Sequence, residues 1–279
     1  MKKKRRKNKL AIFVFLLCIG ALFLRLLEEK ERVQEKEVPM MIEEQQEQET
    51  IEIEGNTMEK LYDLSLKDER ILTIIEEAEQ YPEVLLDMLS RNIDLIDYVL
   101  EYPKKKGQVF SDTIGKVTKG EVPLLLQYDK RWGYGEYGDS VIAISGCGPT
   151  VVSMVVAGLT GREDITPYTV AKDAEAKGYY QNGTSWRLFT EGVEEYGIIG
   201  KELPLNKAMM IQALKANHPI ICSMKKGDFT TTGHFIVLTG VKNNAFIVRD
   251  PNSEARSEKL WSYERLEPQI KNLWSFEKK

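Results

Sequence analysis

The sequence predicts an α+β fold, on three observations. Between residues 149 and 216 apolar residues recur at helical spacing. From 219 to 249 they fall instead into short strand-like runs. Asn243-Asn244 separates two of those runs as a turn signal. Helices first and strands second is the α+β order, not the alternation of a parallel sheet. The chain has 279 residues, ample for a sizeable core, and a net charge of -4 that argues against nucleic acid as the main partner.

In chain order, residues 1–27 read as a cytoplasmic basic tail and a transmembrane signal anchor. Lys2, Lys3, Lys4, Arg5, Arg6, Lys7 and Lys9 precede a charge-free run from Leu10 to Leu24, and Arg25-Leu26-Leu27 closes it. The membrane is met through residues 10–27, with the basic end held in the cytoplasm and the rest outside. A cleaved signal peptide is the rival, but the large residues Leu22, Phe23 and Leu24 directly follow Gly20-Ala21. If the anchor is cut, the remainder is secreted.

Residues 28–57 read as an acidic stalk with few aromatics, solvated and at best partly helical. Residues 58–107 read as short amphipathic helices. Asp68 caps the first, with Ile71, Ile74, Ile75 and Ala78 on its apolar face. Pro82 suits the first turn of the second, whose face is Val84, Leu85, Met88 and Leu89. Ile93, Ile96 and Leu100 form a third stripe, and Tyr102-Pro103 ends the series. Such short helices need tertiary partners. The 58–102 helices are expected to pack on one another or on the domain after them, with a docking partner as the lesser alternative.

Residues 120–279 read as one domain. Val122 to Leu126 is a strand-like lead-in. Pro149 to Gly158 is a helix apolar on every side and therefore buried. Further helices are expected over 166–178, 184–197 and 207–216. Strands are expected over Pro219–Met224, Phe235–Val241 and Ala245–Arg249.

Three cysteines, Cys18, Cys147 and Cys222, make no disulfide framework. Cys222 reads as a small buried hydrophobe. Cys147, in Gly146-Cys147-Gly148-Pro149-Thr150, stands just before a helical turn, where orphan N–H groups favour a negative sulfur. Gly146 and Gly148 are expected to clear room for a substrate backbone. Alone, this motif is more simply a structural turn with a buried cysteine.

The hairpin adds to it. A turn centred near 242–243 sets His234 and Asp250 opposite or nearly opposite, with Cβ atoms about 5 Å apart. Asp250 can then orient one imidazole nitrogen of His234 and leave the other for Cys147. A Gln near a catalytic thiol can donate to an oxyanion beside the Cys147 N–H. Gln127 could do so, although spacing alone favours a surface glutamine. Cys147, Cys222, His218 and His234 lack zinc-type spacing, so neither metal nor cofactor is expected.

Together these residues form a pattern. Gln127 with Asp129 and Trp132 is followed by Gly146 to Thr150, Gly233-His234 and Asp250-Pro251. The segment resembles the bacteriocin-processing-peptidase-like group of the papain superfamily, family 39 of the cysteine peptidases, over essentially all of 120–279. The resemblance implies a papain-like cysteine peptidase fold and a peptide or protein substrate. It implies Cys147 as nucleophile, His234 as base, Asp250 as orienter and Gln127 in the oxyanion hole. Residues 1–119 carry no such motif. A membrane-anchored extracytoplasmic thiol peptidase is the first reading. An idle papain-like domain that binds a peptide or protein is the second. A cell-wall peptide amidase is the third, since those enzymes usually carry Asp-Cys-Ser-Gly where this chain has Gly146-Cys147-Gly148.

Overall fold

The computed structural model describes residues 56–279. The expected tail, anchor and nearly all of the stalk lie outside the described residues. Among the described residues no helix is long and apolar enough to cross a membrane. All elements below belong to the unit Lys60–Lys279.

After helical residues 56–65 come three helices: α1 (Arg70–Glu76), α2 (Glu83–Arg91) and α3 (Ile96–Lys105). Asp68 Oδ1 accepts from the Arg70 N–H at 3.1 Å, although Glu69 holds the N-cap position itself. Pro82 is the N-cap of α2 and not part of its first turn. Leu85, Leu86, Met88 and Leu89 are buried, but Val84, expected on that face, is 54 % exposed. It lies one turn before Met88, at the edge of the apolar stripe.

The third stripe is also displaced. Leu95, Ile96, Tyr98, Val99 and Tyr102 are buried, while Ile93 and Leu100 are half-buried. α3 runs through Pro103 to Lys105, because a proline in the last turn removes few helical bonds. Tyr98 fixes this segment to the residues ahead of the first ribbon. Its ring stacks on Tyr134 with centroids 4.3 Å apart, and its hydroxyl donates to the Gly133 carbonyl at 2.9 Å.

The domain then builds in order. β1 (Glu136–Tyr137) and β2 (Ser140–Val141) form a small ribbon, followed by α4 (Ile142–Ser145), α5 (Cys147–Thr160) and α6 (Pro167–Ala176). α5 ends at Gly161, whose φ of 77° is the left-handed closure glycine permits. The helix expected over 184–197 is instead two 3-10 turns, Trp186–Phe189 and Gly192–Tyr196. Ser185 caps the first, accepting from the Arg187 N–H, and Thr190-Glu191 breaks the run between them.

β3 (Ile198–Glu202) and α7 (Lys207–Lys215) lead to β4 (Ile220–Met224), β5 (His234–Lys242) and β6 (Ala245–Arg249). Then come α8 (Glu254–Ser257), β7 (Leu260–Trp261), α9 (Tyr263–Leu266) and β8 (Ile270–Lys278).

The sheet is antiparallel throughout, in the order β3-β8-β4-β5-β6-β7. Side chains alternate across it, as a pleat requires. Ile221, Phe235, Val237, Trp274 and Phe276 join the core around α5 and α6. Ile220, Cys222, Ile236, Leu238 and Val248 join Met210 and Leu214 of α7 on the other side. α5 is buried along Gly148–Gly158, as its lack of a polar face required. Residues 122–126 form no ladder strand. They lie beside the hairpin, where the Gln127 N–H donates to the Pro251 carbonyl at 2.8 Å.

Candidate active site

Cys147 is the first residue of α5, not the residue before it, with Gly146 as N-cap. The side chain is half-buried. It stands where the helix presents orphan N–H groups and the positive end of its dipole. The flanking glycines serve a different purpose from the one expected. A Cβ on Gly148 would lie 2.5 Å from Thr184 Oγ1, and one on Gly146 2.5 Å from the Ile142 carbonyl oxygen. They admit the protein's own chain, so that α4 and Thr184 can close on the start of α5.

His234 opens β5 and Asp250 follows the last residue of β6. Both are buried. They do not pair directly across the hairpin. Asn243 and Asn244 lie at φ 52° and 61°, the positive values of a two-residue type I′ loop. That loop pairs Lys242 with Ala245, and a bulge between Leu238 and Gly240 leaves Val237 opposite Arg249. Asp250 is therefore a diagonal neighbour of His234, within reach of long side chains. The contact forms nonetheless: His234 Nε2 and Asp250 Oδ1 are 2.8 Å apart.

With Nε2 committed to Asp250, the other ring nitrogen is left for Cys147, which lines the same cleft as His234. Burial pushes the imidazolium pKa down. The Asp250 charge and hydrogen bond outweigh it, together with the contact to Cys147, and carry His234 up to about 9. Burial likewise pushes Asp250 up, but His234 and then Arg256 hold it below the usual carboxylate range.

Asp250 has more partners than the sequence suggested. The Arg256 guanidinium pairs with Oδ2, the Asn252 N–H donates to Oδ1 at 2.8 Å, and Ser257 Oγ accepts from the Asp250 N–H at 2.9 Å. Arg256 is the neighbour of Asp250 that the sequence does not single out. Its signal is local: Ser253 caps α8 by accepting from the Arg256 N–H, which aims that helix back at Asp250.

Gln127 is not a surface glutamine; it is 2 % exposed. Its Nε2 donates to the Ala143 carbonyl at 2.6 Å, while Oε1 is buried without a partner. An amide nitrogen carries two hydrogens, so one donor remains beyond the Ala143 bond. Gln127, Cys147 and His234 line one cleft of about 230 Å³. A larger cavity of about 800 Å³, beside Lys116–Pro123, shares no residue with it and has no cysteine or histidine in its wall.

Cys222 and His218 stand apart from this group. Burial in the sheet pushes the Cys222 thiol up, and His218 lies 3.8 Å from Glu277. Among the described residues no group of three or more His, Cys, Asp or Glu could hold a metal ion.

Comparison with known proteins gave three findings. A family model described as "Peptidase_C39 like family" matches residues 119–277. Two solved structures are similar at low identity. One is the peptidase domain of Streptococcus ComA, a bi-functional ABC transporter involved in a quorum sensing pathway. It is 20% identical with a TM-score of 0.38, and the match covers 57% of this chain and 100% of that one. The other, from Bacillus anthracis and described as a C39-like peptidase, is 15% identical with a TM-score of 0.39, covering 59% and 98%. No curated protein matches the chain.

Proposed function

Since the chain belongs to the Peptidase_C39 like family, we propose that it is a thiol peptidase that hydrolyses peptide bonds through Cys147, His234, Asp250 and Gln127. The observation that carries this reading is the buried His234–Asp250 pair at 2.8 Å, in a cleft that Cys147 and Gln127 also line.

Cys147 Sγ attacks the substrate carbonyl as its proton passes to His234. The oxyanion that forms takes hydrogen bonds from the second Gln127 Nε2–H and from the N–H groups at the start of α5. The carbon–nitrogen bond breaks, and the leaving amine takes the proton from His234. Water then attacks the thioester, giving its proton to His234, and the acid leaves as the thiol is restored. Asp250 keeps the imidazole in one tautomer and stabilises its charged form. Arg256 and the Asn252 N–H keep Asp250 ionised and fixed.

The proposal extends to placement. The basic tail and the apolar stretch 10–27 support a peptidase held at the outer face of the cell membrane. Incubation with a randomised octapeptide library, followed by mass spectrometry of the products, tests the activity. New termini are expected with the unsubstituted chain and none with Cys147→Ala. Equal cleavage by the two proteins would refute the role of Cys147.

A further inference from the structure

The cleft beside Cys147 is not built by the family domain alone. Val84, Met88, Arg91 and Asn92, from α2 and its C-cap, form part of its wall. These residues precede the 119–277 segment that matches the family. α2 is fixed in place at its C-terminal end. Arg91 donates to Thr231 Oγ1 at 3.2 Å, and Asn92 Nδ2 donates to the Asn252 carbonyl at 3.0 Å. Both partners flank the catalytic candidates, one in the segment before His234 and the other two residues after Asp250.

The lining is mixed: an apolar patch lies beside the hydroxyls of Thr230, Thr231 and Thr232, and its Arg and Asp side chains are already paired. Val84 and Met88 join Ile144 and Phe229 in the cleft. Arg91 pairs with Asp87, Asp228 with Arg265, and Arg256 with Asp250. Two buried acceptors in the same lining, Gln127 Oε1 and Asn252 Oδ1, have no partner. Buried acceptors without donors are costly, so this part of the lining is held under strain by the packing around it.

The direction of the chain through the site is set by the reaction. In the tetrahedral intermediate the oxygen faces Gln127, and the leaving nitrogen faces His234, which protonates it. Residues 227–233 run directly into His234 and line the cleft together with α2, whose Arg91 bonds Thr231 of this segment. The part of the substrate after the scissile bond therefore belongs here.

We propose that α2 forms the pocket for the residue just after the scissile bond, and that Val84 and Met88 select an apolar side chain of limited size there. This inference rests on the peptidase reading above.

The test uses the full chain and the randomised octapeptide library, read separately for the residues before and after each cut. Met88→Ala should raise kcat/KM for bulky apolar residues after the cut by about tenfold relative to alanine. Preference before the cut should stay as it was. Val84→Trp, at an exposed position that tolerates change, should shift the preference after the cut toward smaller residues. An unchanged profile in both variants, or a change confined to the residue before the cut, would overturn the proposal. If the unsubstituted chain cleaves nothing, alkylation by iodoacetamide separates two failures. Fast alkylation of Cys147 that depends on His234 leaves the thiol chemistry intact and shows that α2 obstructs the cleft instead of shaping it. Alkylation indifferent to His234 removes the peptidase reading itself.

Discussion

His234 ties the stability of the fold to pH. Its pKa rises from 6.5 to about 9 in the folded chain, because Asp250 and Cys147 outweigh burial. A raised basic group stabilises the fold fully below its unfolded value and loses that contribution as pH rises through the folded one. Stability measured by urea unfolding should therefore fall between pH 6.5 and 9, by roughly 3 kcal/mol. Asp250 acts in the opposite sense: its contribution is present above 3.8 and is lost as pH falls below that value. Asp250→Asn should flatten the alkaline slope. A stability profile level from pH 6.5 to 9 in the unsubstituted chain would contradict the ion pair. Individual residues were legible where their types are rare and reactive. Cys147, and His234 as one of two histidines, stand out in the sequence for that reason. Gln127 did not, because nothing near it in sequence announces that Ala143 and Pro251 will enclose it. Arg256 looks like any surface arginine until the cap at Ser253 turns α8 toward Asp250.

At the scale of elements, the start of α5 depends on close contact with its neighbours. Gly148→Ala places a methyl group against Thr184, with Oγ1, Cγ2 and Cβ all within 2.7 Å. The substitution should cost about 1–3 kcal/mol, as overpacked positions do. Thr184→Gly removes all three atoms, so the double variant should recover part of the loss. Additive losses in the two variants would show that the contact is not the cause. α5 itself was legible because it has no polar face, and β4, β5 and β6 because their apolar runs are short and bounded by turns. The register was not. The sequence contains Asn243-Asn244 but not the bulge near Thr239, and the bulge moves Asp250 to a diagonal position. β8, which pairs with both β3 and β4, is long-range pairing that local periodicity does not reveal. The 122–126 segment shows the reverse failure: an apolar run with strand-like composition that finds no ladder.

The molecule as a whole joins a family domain to an upstream helical segment. Tyr98 stacked on Tyr134, and Asn92 bonded to Asn252, make α2 and α3 part of the same structure as the hairpin. The amphipathic faces announced that these helices needed a partner, but not that the partner would be the rim of the cleft. The cleft itself gathers residues far apart in sequence: Gln127, Cys147 at the head of the buried helix, and His234 with Asp250 at the open end of the hairpin. The central claim is that these parts act as one thiol–imidazole unit. It is tested most directly by monitoring the alkylation of Cys147 with iodoacetamide between pH 5 and 9, located by mass spectrometry, in the unsubstituted chain and in His234→Ala. A rate that stays high and nearly level at acid pH, and drops there when His234 is removed, is the predicted result. A rate that rises about tenfold per pH unit, as for an ordinary thiol, and ignores His234 would contradict it.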